Sequence, residues 1–336
     1  MTSREFAQLI GVSQATVSRA LNGSNLVSEK TRQYVVQKAA DYGFVLNSQA
    51  RSLKTSKTGT VGVMFPLYFD SLSKNLMFTN IYDHLQRELS KRDIDTMVIY
   101  DYENPAANNT LERVVKSLKV DGIINFRPQL LPEEIGLIEE HEIPFVSLHS
   151  GRQDHAALHQ FMIDEEHAGE EIGRYYGRLD GERYVFVSTQ ESLAEQKGRF
   201  HGFQKGLAAY GKRLREADIL ACPLSMDAAR EETLRRRDLF TGGNTSIFVY
   251  NDMMAVGVLN ALHMLGVPVP QRAQIISMDD IPLASWVYPR LTTLHAPVQR
   301  MVKDGCDRLL ALIDGEKAAP QTVYYRSQMI LRDTTR

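Results

Sequence analysis

Between positions 14 and 22 lie Gln14, Ala15, Thr16, Ser18, Arg19 and Asn22. On the outer side of one short helix they form a row of small polar or amide side chains with a single arginine. Such a row can meet the edges of base pairs in a major groove: Gln14 has the donor–acceptor pair that matches adenine, and Ala15 has only a methyl to set against thymine. Catalytic signatures are missing by comparison. No Gly-x-Ser-x-Gly elbow occurs, Gly59-Thr-Val-Gly62 lacks the lysine of a phosphate loop, and no paired general acid and base stands out. Asp279-Asp280 fixes no third metal ligand, and His155 with His159, four apart and able to share a helix face, falls short of the three or four ligands zinc needs. Neither a metal nor a cofactor is expected, and the chain does not read as an enzyme.

Three short helices must position that row. Ser3 is the expected cap of the first, with Phe6, Leu9 and Ile10 on one side and Gly11 at its end. Ser13 caps the second, which buries Val17, Ala20 and Leu21 and closes at Asn22-Gly23; Ser28 caps the third, whose apolar face is Val35, Val36 and Ala39. Helices joined by such short turns suit a helix-turn-helix unit. A helical hairpin that only packs on the rest of the chain has the same composition. Charge separates the two parts of the chain: residues 1–60 hold eight basic and three acidic residues, net +5, whereas the other residues carry net −7 within a total of −2. A basic head on an acidic body suits a nucleic-acid partner, although a solvated charged face also produces such an imbalance.

Past residue 60, strand-like and helix-like stretches alternate. Thr60-Val-Gly-Val-Met-Phe65 is a buried parallel type of strand, and further strands are expected at 95–100, 122–126 and 144–148, with helices at 75–89, 110–118 and 132–140 between them. The pattern restarts with a helix at 167–176, strands at 184–188, 219–222, 246–250 and 274–278, and helices at 196–210, 227–236, 253–265 and 301–313. Two similar α/β lobes in tandem are therefore expected, with a ligand cleft at the C-terminal ends of their strands. An α/β enzyme would share that composition. No run of eighteen apolar residues and no secretory leader is seen, and the two cysteines, Cys222 and Cys306, are too few for a disulfide scaffold. A cytoplasmic protein without a membrane span is expected.

The stretches Gly11-Val-Ser-Gln-Ala-Thr-Val-Ser-Arg-Ala-Leu-Asn22, Val27-Ser-Glu-Lys-Thr-Arg32 and Asn47-Ser-Gln-Ala-Arg-Ser-Leu53 resemble the lactose-repressor/galactose-repressor family of bacterial regulators. The resemblance continues through Arg199-Phe-His-Gly-Phe203, Asn251-Asp-Met-Met-Ala-Val-Gly257, Gly266-Val-Pro-Val-Pro270, Ser277-Met-Asp-Asp-Ile-Pro282 and Pro289-Arg-Leu-Thr-Thr293. It implies a helix-turn-helix head at 1–46, a hinge helix and linker at 47–59, and a two-lobed body at 60–336 similar to periplasmic sugar-binding proteins. It further implies that Gln14 and Ala15 choose the operator sequence, that Thr16, Ser18, Arg19 and Asn22 contact bases or phosphates, and that Ser13, Ser28 and Thr31 mainly touch phosphates. In the hinge, Leu53 matches a leucine wedged between base pairs, with Asn47, Ala50, Arg51 and Lys54 beside it. Leu46 stands where the family usually has proline, which leaves the hinge entry looser.

In the body, Arg199, Asn251 and Asp279 match positions that hold effector oxygens. An arginine fork, an amide and a carboxylate can bind sugar hydroxyls or a metabolite carboxylate. His149 replaces the family's acid or arginine and Leu224 replaces an aromatic, while Phe65, Phe126 and Trp286 are candidates for apolar wall. These departures count against a simple hexose or purine and leave a sugar or sugar derivative slightly favoured. The expected partners are double-stranded operator DNA, a small effector and a second copy of the chain as a homodimer. A sugar-binding protein without DNA function and a sugar-acting enzyme are the competing readings; the head motif opposes the first and the missing catalytic pair the second.

Overall fold

The computed structural model describes residues 1–21, 24–45, 57–65, 76–99, 110–127, 130–149, 158–179, 181–190 and 194–336, with side chains in the last segment from residue 197. The hinge residues Asn47, Ala50, Arg51, Leu53 and Lys54, together with Asn22 and His155, lie outside the described residues.

The head begins with α1 (Ser3–Leu9), capped by Thr2 rather than by the expected Ser3. Glu5 decides the register: its carboxylate accepts the Thr2 amide at 2.8 Å while the Thr2 hydroxyl accepts the Glu5 amide at 3.3 Å, a reciprocal pair that requires Glu at the third helical position. Helices α2 (Gln14–Leu21) and α3 (Glu29–Asp41) carry the expected caps, Ser13 accepting from the Thr16 amide at 3.0 Å and Ser28 from the Thr31 amide at 3.2 Å. Phe6, Ile10, Val17, Ala20, Val35, Ala39 and Phe44 close a small core in which Phe6 stacks on Phe44 at 4.1 Å. Leu9 and Val36, expected inside, are 53% and 48% exposed. Three short helices meet along narrow seams, so an apolar residue at the margin of a seam stays in water.

Among the described residues the body contains two six-stranded sheets. The first takes β1 (Thr60–Met64), β2 (Asp95–Ile99), β3 (Gly122–Asn125), β4 (Phe145–Leu148) and β5 (His159–Ile163); the second takes β6 (Arg183–Thr189), β7 (Ile219–Cys222), β8 (Thr245–Val249), β9 (Ala273–Asp279) and β10 (Thr292–His295). Strand β11 (Thr322–Tyr325) then joins the first sheet, giving the order β11-β5-β4-β3-β1-β2, and β12 (Gln328–Ile330) joins the second, giving β12-β10-β9-β8-β6-β7. Pairing is parallel except between β10 and β12.

Helices cover both faces of each sheet, which is why the strands read as unbroken apolar runs. On the first sheet these are α4 (Leu76–Ser90), α5 (Thr110–Lys116) and α6 (Pro132–Glu140); on the second, α7 (Glu165–Gly177), α8 (Ala194–Ala208), α9 (Met226–Arg235), α10 (Asp238–Thr241), α11 (Asp252–Met264) and α12 (Pro282–Trp286). The final helix, α13 (Val298–Ile313), crosses back: Met301, Val302, Cys306 and Leu309 pack with Val61, Val63, Ile81 and Leu85 of the first lobe. The expected tandem order thus holds to His295, and beyond it the chain crosses between the lobes. Cys222 and Cys306 are both buried.

His159 lies on β5, opposite Val146, and so not on the helix face that it could have shared with His155. The five residues of that strand are buried throughout, a pattern that an apolar run so short cannot announce by periodicity.

Helices α7 and α8 touch almost backbone to backbone. A Cβ added at Gly202 would fall 1.9 Å from the Glu166 carbonyl oxygen and 2.7 Å from the Glu170 amide, and one at Gly206 would fall 2.3 Å from the Glu170 carbonyl. This contact sets the height at which α8 presents Arg199 to Glu165 at the start of α7. Gly202→Ala should therefore cost about 1–3 kcal/mol, the usual penalty for overpacking. A urea midpoint equal to that of the parent chain would show that the two helices can separate freely.

Candidate ligand site and nucleic-acid interface

On the head, Gln14, Ala15 and Arg19 are exposed and Thr16 and Ser18 half-exposed, while Val17 and Ala20 turn inward. The expected reading face of α2 is thus free of the core. Ser13 and Thr16 share a hydroxyl contact of 2.8 Å, as do Ser28 and Thr31. Both pairs sit at helix N-termini, where amide groups and the helix dipole favour a phosphate.

In the body, most of the other candidates gather at the C-terminal ends of parallel strands. Phe65 follows β1, Phe126 follows β3, His149 follows β4, Leu224 follows β7, Asn251 follows β8, and Asp279 ends β9. Arg199 enters from α8 and is 2% exposed. Its Nε and Nη2 donate to the two Glu165 carboxylate oxygens at 2.7 and 3.1 Å, and its Nη1 donates to the Tyr250 carbonyl at 2.6 Å. The guanidinium carbon also stands 4.4 Å from the centroid of the Tyr250 ring, a cation–π distance.

Asp279 is 8% exposed, and among the described residues it receives no hydrogen bond that would favour its charge. Burial, with Asp252 and Glu165 nearby, raises its carboxyl well above the usual range, against the pull of Arg199. Its neighbour in the same cluster, Asp252, is satisfied: it accepts from Ser277 at 2.5 Å, Thr293 at 2.6 Å and the Ile281 amide at 2.9 Å, and burial still lifts it to about 6. Asn251 caps α11, its Oδ1 accepting the Met254 amide at 2.9 Å.

His149 is buried edge-on to Phe78 at 6.0 Å, and burial, with Arg199 close by, lowers its imidazole to about 4, so it is neutral near pH 7. The Glu165 and Arg199 charges both act on it, which places a residue of the first lobe within reach of two that pack with the second. His149, Asp279 and Asp280 have φ of +46°, +114° and +54°. Side chains in that region carry strain of about 1–3 kcal/mol each, which persists where the surroundings hold the residue in place for another purpose.

Three wall assignments change. Phe65 and Phe126 stack at 5.5 Å within the first lobe's core and are almost wholly covered, so they support the site from beneath. Trp286, at the end of α12, is 77% exposed and belongs to no packed wall. Leu224 is half-buried against the second lobe's core. Glu165 and Tyr250 were missed in the sequence. Glu165 follows the unforeseen strand β5, and Tyr250 contributes through its carbonyl and ring face, which residue type does not announce.

Residues 2–47 match the model for bacterial regulatory proteins of the lacI family, and residues 181–335 match the periplasmic binding protein-like domain. The chain is 25% identical to the probable HTH-type transcriptional repressor ExuR of Bacillus subtilis (strain 168), covering 100% of this chain and 98% of that protein. Its fold is similar to that of the lac repressor dimer bound to operator and the anti-inducer ONPF, with a TM-score of 0.80 at 21% identity over 100% and 99% of the two chains. It is also similar to the transcriptional regulator CelR in complex with cellobiose, with a TM-score of 0.70 at 22% identity over 99% of each chain.

Proposed function

The chain belongs to the lactose-repressor/galactose-repressor family of bacterial transcriptional regulators, and from that premise we propose that it is a repressor of a near-palindromic operator, released or engaged by a sugar or sugar derivative bound between its lobes. The observation that carries this is the cluster of Arg199, Glu165, Asp279 and His149 at the strand ends, joined in one chain to a head whose α2 leaves Gln14, Ala15 and Arg19 uncovered. The fold shared with an operator-bound lac repressor and with a cellobiose-bound regulator supports both halves of the reading.

In this mechanism two chains pair through their bodies, so that two heads meet two half-sites. Ligand shifts the relative position of the lobes, and the hinges, at 47–59, pair and enter the minor groove better or worse as a result. The direction of the switch follows whichever lobe arrangement the ligand binds more tightly. Leu53, proposed as the wedge, tests the DNA half: Leu53→Ala should weaken specific operator binding at least about tenfold while ligand binding stays within twofold, because the lost unstacking contact is worth a few kcal/mol. Fluorescence anisotropy with a labelled operator measures this. Unchanged operator affinity would remove Leu53 from the interface.

A further inference from the structure

Arginine, amide and carboxylate together leave two ligand chemistries open: hydroxyl groups, or a negatively charged group seated on the arginine fork. The geometry decides between them. The Nε and Nη2 edge of Arg199, which would meet a carboxylate or phosphate with two parallel bonds, is already occupied by both oxygens of Glu165. Its Nη1 is turned to the Tyr250 carbonyl, and the Tyr250 ring lies against the guanidinium.

Among the described residues, Arg127 and Arg332 of this region are likewise paired within the chain. Arg127, which donates to the Phe65 carbonyl, is bound to Glu134, and Arg332 is bound to Asp280. His149 is neutral near pH 7 and adds no positive charge. Asp279 faces this group as a buried carboxyl to which no described residue donates a hydrogen bond. Among the described residues the site therefore offers acceptors and keeps its cation paired.

We propose that the interlobe site of this chain selects effectors that donate hydrogen bonds and carry no negative charge, an uncharged sugar or an amino sugar, and that Glu165 is the residue that turns sugar acids and sugar phosphates away. This rests on the interlobe cluster being the effector site. Asp279 then receives ligand hydroxyl or ammonium protons, and Glu165 keeps the arginine fork closed to carboxylate and phosphate. Removing the Glu165 charge reopens the fork and converts the site to an anion binder.

The test uses the full chain and four probes: D-glucose, D-glucosamine, D-glucuronate and inorganic phosphate. Thermal unfolding is followed for the parent chain, for Glu165→Gln and for Glu165→Ala, with far-UV circular dichroism to certify that each variant is folded. In the parent chain, glucuronate and phosphate should leave the midpoint unmoved at millimolar concentration. In at least one folded Glu165 variant, one of these anions should raise it, with a half-saturating concentration at least tenfold below that in the parent. That gain should vanish when Arg199→Met is added.

A parent chain already stabilised by glucuronate or phosphate, in a manner lost with Arg199→Met, would overturn the charge selectivity while leaving the cluster as the effector site. A folded Glu165 variant without any gain would overturn the assigned role of Glu165. Probe responses that neither Arg199→Met nor Asp279→Asn alters would instead overturn the cluster as the effector site.

Discussion

Asp279→Asn should produce a chain that melts higher than its parent, still binds operator, and no longer answers its ligand. The parent carboxylate is buried and strained at φ +114°, and no described residue donates a hydrogen bond that would favour its charge. A charge held that way costs stability, and replacing it by a neutral amide of the same shape should return about 1–3 kcal/mol. The pH dependence fixes the sign. Burial raises the folded-state carboxyl above its unfolded value, with Asp252 and Glu165 pushing the same way and Arg199 opposing. The folded protein therefore holds the proton more tightly than the unfolded chain, and the parent loses stability as pH rises through the folded value. The advantage of Asp279→Asn should widen on going from pH 5 to pH 8 and shrink toward nothing below the unfolded carboxyl's range. A variant less stable than its parent at pH 8 would mean that Asp279 is structural. Operator affinity should stay within twofold, since Asp279 sits at the strand ends of the body and not in the head.

The second large effect is on stability. Arg199→Ala removes the partner of Glu165 and takes the Nη1 hydrogen bond from the Tyr250 carbonyl, with the Arg199 and Glu165 side chains 3% and 10% exposed. Breaking a buried pair from one side costs about 3–5 kcal/mol, because the remaining charge stays desolvated. Equilibrium urea unfolding should show that loss. Arg199→Lys should lie between, because an ammonium keeps the charge but not the two parallel bonds. Removing both charges together, Arg199→Met with Glu165→Leu, should recover most of the loss. If the double variant is as unstable as Arg199→Ala, the cost lies in packing and not in the unpaired carboxylate.

These two predictions separate what the sequence made legible from what it hid. The helix starts at Ser13 and Ser28 were readable because a hydroxyl three residues before a helical amide is a local signal. The strands β1, β3 and β8 were readable from their unbroken apolar runs. The return of α13 and β11 to the first lobe was not, because which lobe a segment joins depends on contacts far apart in sequence, such as Cys306 against the Val61 and Val63 strand.

The site divides in the same way. Arg199, Asn251, Asp279 and His149 were named from the resemblance, and the fold brings them to neighbouring strand and helix ends. The pairing of Arg199 with Glu165 was hidden, since 34 positions separate the two and the strand that delivers Glu165 lacks a periodic signature. Trp286 misled for the opposite reason. A lone tryptophan near a ligand motif suggests a wall, yet the short helix α12 turns it to solvent.

The central claim is that a ligand held by the interlobe cluster controls binding of the head to DNA. Its most direct measurement is operator affinity of the full chain titrated with an uncharged sugar that shifts its thermal midpoint, run in parallel on Asp279→Asn. The account predicts a change of at least tenfold in the parent chain, in either direction, and less than twofold in the variant. An operator affinity that the bound sugar leaves unchanged in the parent, or changes equally in both, would contradict it.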